Sequence, residues 1–166
     1  MDLSLVEPDA VAKYYVKSEL SKRDSPSDLE HCVDALSRDE LRLEVQRLSE
    51  ERKNEIYERL YGSPIAWAFY DLPASSLHLP KINQRVNPFL EQKDWELFKF
   101  ANLVRSLPEE EALIEFKDNG KAIPFQNLLV LNEDYRYRII DGSHRAVILC
   151  LRGSTTFQCY VGHSRA

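Results

Sequence analysis

The chain has 166 residues, 43% apolar and 30% charged, the balance of one globular domain with room for an appendage and not of a disordered chain. No apolar run approaches the roughly 20 residues that cross a bilayer, and Met1 to Pro8 lack both the basic flank and the apolar stretch of a signal peptide, so the expected location is the cytoplasm. A formal charge of −5 argues against indiscriminate nucleic-acid binding. Cys32, Cys150 and Cys159 form no CxxC pair and no zinc spacing, and read as reduced thiols buried as small hydrophobes.

The first seventy residues have helical periodicity. Pro8 to Arg23 fits a helix carrying Val11, Tyr14, Tyr15 and Leu20, and Asp24-Ser25-Pro26-Ser27 breaks it. Ser27 or Asp28 caps a short helix through Leu36. Ser37-Arg38-Asp39-Glu40 has the form of a capping box and opens a longer helix with Leu41, Val45, Leu48, Ile56 and Leu60 near one face, stopped at Gly62. Arg52 interrupts that face, so the helix is either partly covered or its arginine snorkels. Ile65 to Tyr70 reads as an aromatic hinge segment packed on the core. The change of composition near residue 72 divides the chain into a helical N-terminal extension, 1–72, and a second domain, 73–166.

Beyond that point strands and helices interleave. Leu77 to Ile82 is a candidate strand, Asn83 to Pro88 a polar loop and Gln92 to Leu107 an amphipathic helix. Pro108 and the glutamates after it suit a helix start, and Asn119-Gly120 ends that helix. Ile123 to Leu131 and Tyr135 to Ile140 read as strands joined by Asn132-Glu133-Asp134. Ser143 to Leu151 is a helix closed by Gly153, and Thr155 to Val161 a last strand. The fold class is therefore α/β (α+β), a small mixed sheet with helices behind a helical extension.

The functional centre falls at Ile139-Ile140-Asp141-Gly142-Ser143-His144-Arg145. Here a buried strand turns directly into an apolar helix. Gly142 permits the sharp backbone excursion, and Ser143 is a natural N-cap. His144 and Arg145 then occupy an exposed helix start, where each cation opposes the dipole by about 0.3–1 kcal/mol. A bound phosphate would reverse the sign of that conflict, because amides, dipole and both basic side chains would converge on it. The alternative is an ordinary Asp-Gly turn with His144 and Arg145 facing solvent. From Tyr135 to Ala166 the chain carries Arg136, Arg138, Arg145, Arg152 and Arg165 against the single acid Asp141, a basic island in an acidic protein that favours a local anionic ligand. His31, His78 and His163 have no partners at ligand or triad spacing, and Asp-Gly-Ser-His-Arg lacks the second glycine of a nucleophile elbow.

The Asp141-Gly142-Ser143-His144-Arg145 segment resembles the ParB/sulfiredoxin superfamily, whose members carry an Asp/Gly-Gly-x-His/Arg-Arg element between a strand and a helix. The likeness extends as pattern over Leu77 to Gly162 and leaves residues 1–72 outside it. It implies a ParB/sulfiredoxin-like domain that binds ATP or CTP together with magnesium. By position, His144 and Arg145 would contact phosphate, Gly142 and Ser143 would offer amides, and Asp141 would orient the turn or approach the metal. His144 and Asp141 would be the catalytic candidates. Lys81, Asn83 and Arg85 would add phosphate contacts, or else belong to a solvated loop.

The departures narrow the chemistry. Sulfiredoxins place a catalytic cysteine where Ser143 stands, and partition proteins carry a Gly-Glu-Arg-Arg-type sequence followed by a helix-turn-helix domain. The Asp-Gly-x-His-Arg form looks more like the small-molecule branch, which includes free serine kinases. The expected function is nucleotide binding, with phosphotransfer to a small-molecule acceptor or nucleotide hydrolysis as the enzymatic form. A nucleotide-sensing regulatory module, with residues 1–72 as a protein-partner or homodimer surface, is the alternative. A ParB-like nuclease or DNA-binding factor is the second, and the net charge counts against it.

Overall fold

The computed structural model describes residues 4–22, 26–80, 95–107, 116 and 120–165, with side chains omitted for 26–28. In chain order the elements are β1 (Leu5–Val6), α1 (Pro8–Leu20), α2 (Pro26–Asp34), α3 (Arg38–Arg52), β2 (Ile65–Pro73), β3 (Leu77–His78), α4 (Leu97–Ser106), β4 (Leu128–Glu133), β5 (Arg136–Asp141), α5 (Ser143–Leu151) and β6 (Thr156–Ser164). The strands form one mixed six-stranded sheet in the order β1-β2-β6-β4-β5-β3. This is an α/β mixed fold, as expected. Among the described residues no helix is long and apolar enough to cross a membrane.

The chain divides into two compact units, residues 1–69 with 162–166 and residues 70–161, and strands β2 and β6 each contribute to both.

In the first unit, Pro8 stands at the start of α1 and Ser37 caps α3, its Oγ accepting from the Glu40 amide at 3.2 Å, as the capping-box spacing requires. Helix α3 stops ten residues before Gly62. Lys53 takes a left-handed conformation (φ 54°), the Lys53 amide donates to the Glu50 carbonyl, and the Asn54 amide donates to the Ser49 carbonyl. That pair of bonds is a Schellman stop with lysine where glycine is usual, so the sequence carried no signal for it. A short π-helical turn, Glu58–Gly62, follows.

Arg52 has a defined role. Its Nε lies 2.8 Å from the carboxylate of Glu19, whose side chain is only 3% exposed. The interruption of the apolar stripe is thus an ion pair that compensates a buried acid. Ile65 to Tyr70 is part of a long strand and not a hinge: β2 runs nine residues, with Leu5 of β1 opposite Ala68 and Val6 opposite Trp67.

The second unit has a continuous apolar core. Leu77, Leu79, Leu97, Phe100, Leu128, Val130, Ile139, Ala146, Val147 and Cys159 are each at most 2% exposed and pack together. Helix α4 enters this core with Leu97, Phe100 and Ala101. Phe100 meets Trp95 and Phe116 edge to face, with centroids 6.0 and 5.1 Å away, a geometry that aromatic quadrupoles favour.

Strands β4 and β5 form a hairpin whose turn lies one or two residues later than the sequence suggested. Asp134 and Tyr135 are both left-handed (φ 48° and 65°), and Glu133 pairs with Arg136. Two successive positive-φ residues give the twist that a two-residue hairpin needs. Residues 123–127 lie outside the strand. The candidate strand at 77–82 is described only as β3, Leu77–His78, and the helix expected after Pro108 lies outside the described residues.

Candidate functional site

The site is built where β5 leaves the sheet. Leu129 lies opposite Asp141 while Val130 lies opposite Ile139, so Ile140 is the extra residue of a bulge. Bulges re-aim the side chains beside them. The chain then turns at Gly142, which adopts φ 98° and ψ 18°, and α5 begins at Ser143. The N-cap is therefore Gly142 and not Ser143, because only a residue without a side chain takes this conformation cheaply. No side chain caps the helix, and the first helical bond runs from the Ala146 amide to the Gly142 carbonyl at 2.9 Å.

Arg145 is not at an exposed start. Its guanidinium folds back over the turn, and Nη2 donates to the Asn127 carbonyl at 2.6 Å and to Asp141 Oδ2 at 3.0 Å. Both members of the pair are 10% exposed. A Cβ placed on Gly142 would come within 2.7 Å of the Arg145 guanidinium carbon, so glycine is needed here for conformation and for space. The conflict between Arg145 and the helix dipole is met inside the chain, since Asp141 brings a carboxylate to the positive end.

His144 is exposed and stacks on Phe116, with centroids 4.9 Å apart and planes inclined by 14°. Ser143 is half-buried beside it. Asp141, Gly142, Ser143, His144 and Arg145 are thus brought to one turn. Lys81, Asn83 and Arg85 lie outside the described residues. Among the described residues no cluster of three or more His, Cys, Asp or Glu side chains could hold a metal. Asp141, the candidate metal ligand, is already committed to Arg145.

The structure also assembles a group that the sequence reading dispersed. His78, Glu133, Asp134, Arg136 and Arg138 line a pocket of about 360 Å³ at the β4–β5 hairpin. Parallel pairing sets His78 of β3 beside Arg138 of β5, and antiparallel pairing sets Glu133 beside Arg136. With side chains alternating along a strand, His78, Glu133, Arg136 and Arg138 share the face opposite Leu77, Tyr137 and Ile139, which face the core, and Asp134 stands on the turn beside them. Arg138 holds Glu133 through two bonds, Nε to Oε2 at 3.1 Å and Nη2 to Oε1 at 3.2 Å. The legible signal was the Arg136-x-Arg138 alternation; the join to His78 needed strand order.

The cysteines separate by burial. Cys150 and Cys159 are buried, and burial pushes their thiols up to about 11 and about 12. Cys32 is exposed, contrary to the expectation of three buried thiols. Helix α2 presents Leu29 and Val33 inward and leaves Cys32 on its outer side.

Comparison with family models, curated proteins and solved structures finds no match for this chain.

Proposed function

We propose that the Asp141–Arg145 turn binds the phosphate of a nucleotide, ATP or CTP. The observation that carries this reading is the start of α5: Gly142 at φ 98° leaves a nine-residue helix with no side-chain cap, beside the Ser143 hydroxyl and the exposed His144. First-turn amides and the helix dipole are an anion-binding arrangement. The choice of a nucleotide rests on the motif's resemblance to the ParB/sulfiredoxin superfamily.

The residues divide into two roles under this reading. Ser143 and His144 would meet the phosphate. Arg145 and Asp141, locked to each other and to the Asn127 carbonyl, would hold the turn in shape. This favours a binding and sensing module over a phosphotransferase: Asp141 is occupied by a guanidinium, and His144 is stacked on an aromatic ring. Asp141 does not fit a magnesium site while it neutralises Arg145, so no step is assigned to a metal. Residues 1–72 would then report occupancy to a protein partner or a second copy of the chain.

The test is a thermal-shift panel of ATP, CTP and inorganic phosphate, each with and without magnesium. A ligand at 100 times its Kd stabilises the fold by about 2.7 kcal/mol. His144→Ala should melt somewhat lower, through loss of the Phe116 stack, and should lose the ligand-induced shift measured against its own ligand-free melting temperature. Gly142→Val should lose the shift and some stability, because it strains the turn and displaces Arg145. No shift with any nucleotide, or an undiminished shift in His144→Ala, would sink the assignment. Phosphate release from ATP would restore the enzymatic reading.

A further inference from the structure

We propose that the groove where α1, α2 and α3 meet is the contact surface of a symmetric dimer, occupied by a second copy of this chain. This selects one of the partners open to residues 1–72, and it holds whether or not the α5 turn binds phosphate. The groove lies within the first compact unit and has a volume of about 440 Å³. Leu20, Val33, Leu36 and Leu43 form its apolar lining, and Glu40, Glu44 and Arg47 stand along its α3 side. Exposed Cys32 also lines it.

Leu43 is 65% exposed. A single exposed leucine is ordinary, but this one belongs to a second face of α3. Buried Leu41, Val45 and Leu48 hold the helix to the core of the first unit. Glu40, Leu43, Glu44 and Arg47 follow the i, i+3, i+4, i+7 spacing of a separate stripe, and all four line the groove. One apolar side chain set between charges does not suit a long apolar partner helix. It suits a copy of itself, in which Leu43 of each chain enters the groove of the other.

The charges select an antiparallel arrangement. With the two-fold axis between Leu43 and Glu44, Glu40 of each copy lies opposite the partner's Arg47, and the contact is made twice, as an isologous interface requires. A parallel copy would set like charges against each other. Glu40 is exposed, and among the described residues its carboxylate has no ion-pair or hydrogen-bond partner. Arg47 is half exposed, and its pairs with Glu44 and Glu51 lie on the surface, so exchanging one of them across the interface costs little. A contact confined to one helix face and its groove is small, which makes the dimer transient and not obligate.

Sedimentation equilibrium of the full chain tests the dimer, without nucleotide and with a phosphine reductant, from about 1 μM to about 1 mM. The expected result is a rise in mass from monomer to dimer and no further. Alkylation of Cys32 should slow as the dimer forms, because the partner covers it. Leu43→Glu, at an exposed position, should stay monomeric and be alkylated at a rate independent of concentration. Glu40→Arg and Arg47→Glu each bring like charges together twice, so either variant alone should self-associate about tenfold more weakly. Mixing the two should restore association, since the mixed dimer regains both opposite-charge pairs. Melting temperatures in dilute solution check that all three variants fold. The proposal is overturned if the parent stays monomeric across this range, which would leave the groove to a different protein. It is equally overturned if Leu43→Glu associates as the parent does, or if the mixture associates no better than its components.

Discussion

The two compact units bury different things. Every buried polar or charged residue among the described ones, Ser18, Glu19 and Ser49, is in the first unit, while the core of the second is apolar throughout. In the first unit Ser49 Oγ lies 2.6 Å from Asn54 Oδ1 and accepts from the Tyr57 amide at 3.2 Å. Asn54 Nδ2 donates to the Tyr15 hydroxyl at 2.9 Å. Those bonds tie the end of α3 to α1 and to the π-helical turn. The second unit holds together by aromatic and aliphatic packing, and its charged pairs include Asp141–Arg145 at the α5 turn and Glu133–Arg138 at the hairpin. Helices with narrow apolar stripes need polar ties to fix their ends, whereas a sheet covered by a helix face does not. The turn proposed to bind phosphate belongs to the second unit.

The largest expected effect is in the second core. Phe100→Ala removes a fully buried ring that touches Trp95 and Phe116, and should cost about 3–5 kcal/mol in a denaturant titration. A loss under about 1 kcal/mol would show that this core is loosely packed and would weaken the contrast. Next is Arg145→Ala, which leaves the Asp141 carboxylate 10% exposed without its guanidinium and should cost about 3 kcal/mol. An unchanged midpoint would mean that Arg145 faces solvent, returning the turn to the picture read from sequence. Ser49→Ala tests the first unit. It strips the Tyr57 amide and Asn54 of their shared partner, at a cost of about 1–3 kcal/mol. If valine-sized core truncations there cost more than this serine, the polar ties are secondary.

A smaller effect is expected at alkaline pH. Burial raises the Cys150 and Cys159 thiols above their ordinary value of 9.0, so the folded state holds their protons more tightly than the unfolded chain does. Their contribution is complete below about pH 9 and is lost as pH rises through about 11 and 12. Cys150→Ala/Cys159→Ala protein should show a shallower decline over that window in urea midpoints. At neutral pH, mass spectrometry after brief alkylation should find one label, on exposed Cys32. The smallest effect is Arg47→Ala. Its pairs with Glu44 and Glu51 are half exposed, and the change should stay within about 0.5 kcal/mol.

Several features were legible residue by residue because local rules decide them. Ser37 three residues before Glu40 made a cap, Pro8 opened a helix, Gly142 took a left-handed turn, and Ser143 to Leu151 became the helix after it. Periodicity sufficed for α1, the start of α3, and α5, since each buries one face regardless of its neighbour. The lysine stop at Lys53 and the two-residue turn at Asp134 and Tyr135 were not legible, because non-glycine residues adopt those conformations only when surrounding bonds hold them there; nor was the full length of β2, which is set by pairing with strands distant in sequence.

The sequence by itself determined that a strand turns through Gly142 into a helix at residues 141–145, within an α/β chain with no membrane-crossing helix among the described residues. Tertiary structure decided which of those charges remain available. Arg145 is turned inward because the bulge at Ile140 brings Asp141 within 3.0 Å, and the Asn127 carbonyl completes the clamp from 18 residues away. It likewise gathered His78, Arg136 and Arg138 around one pocket, because parallel pairing of β3 with β5 joins segments that sequence spacing keeps sixty residues apart.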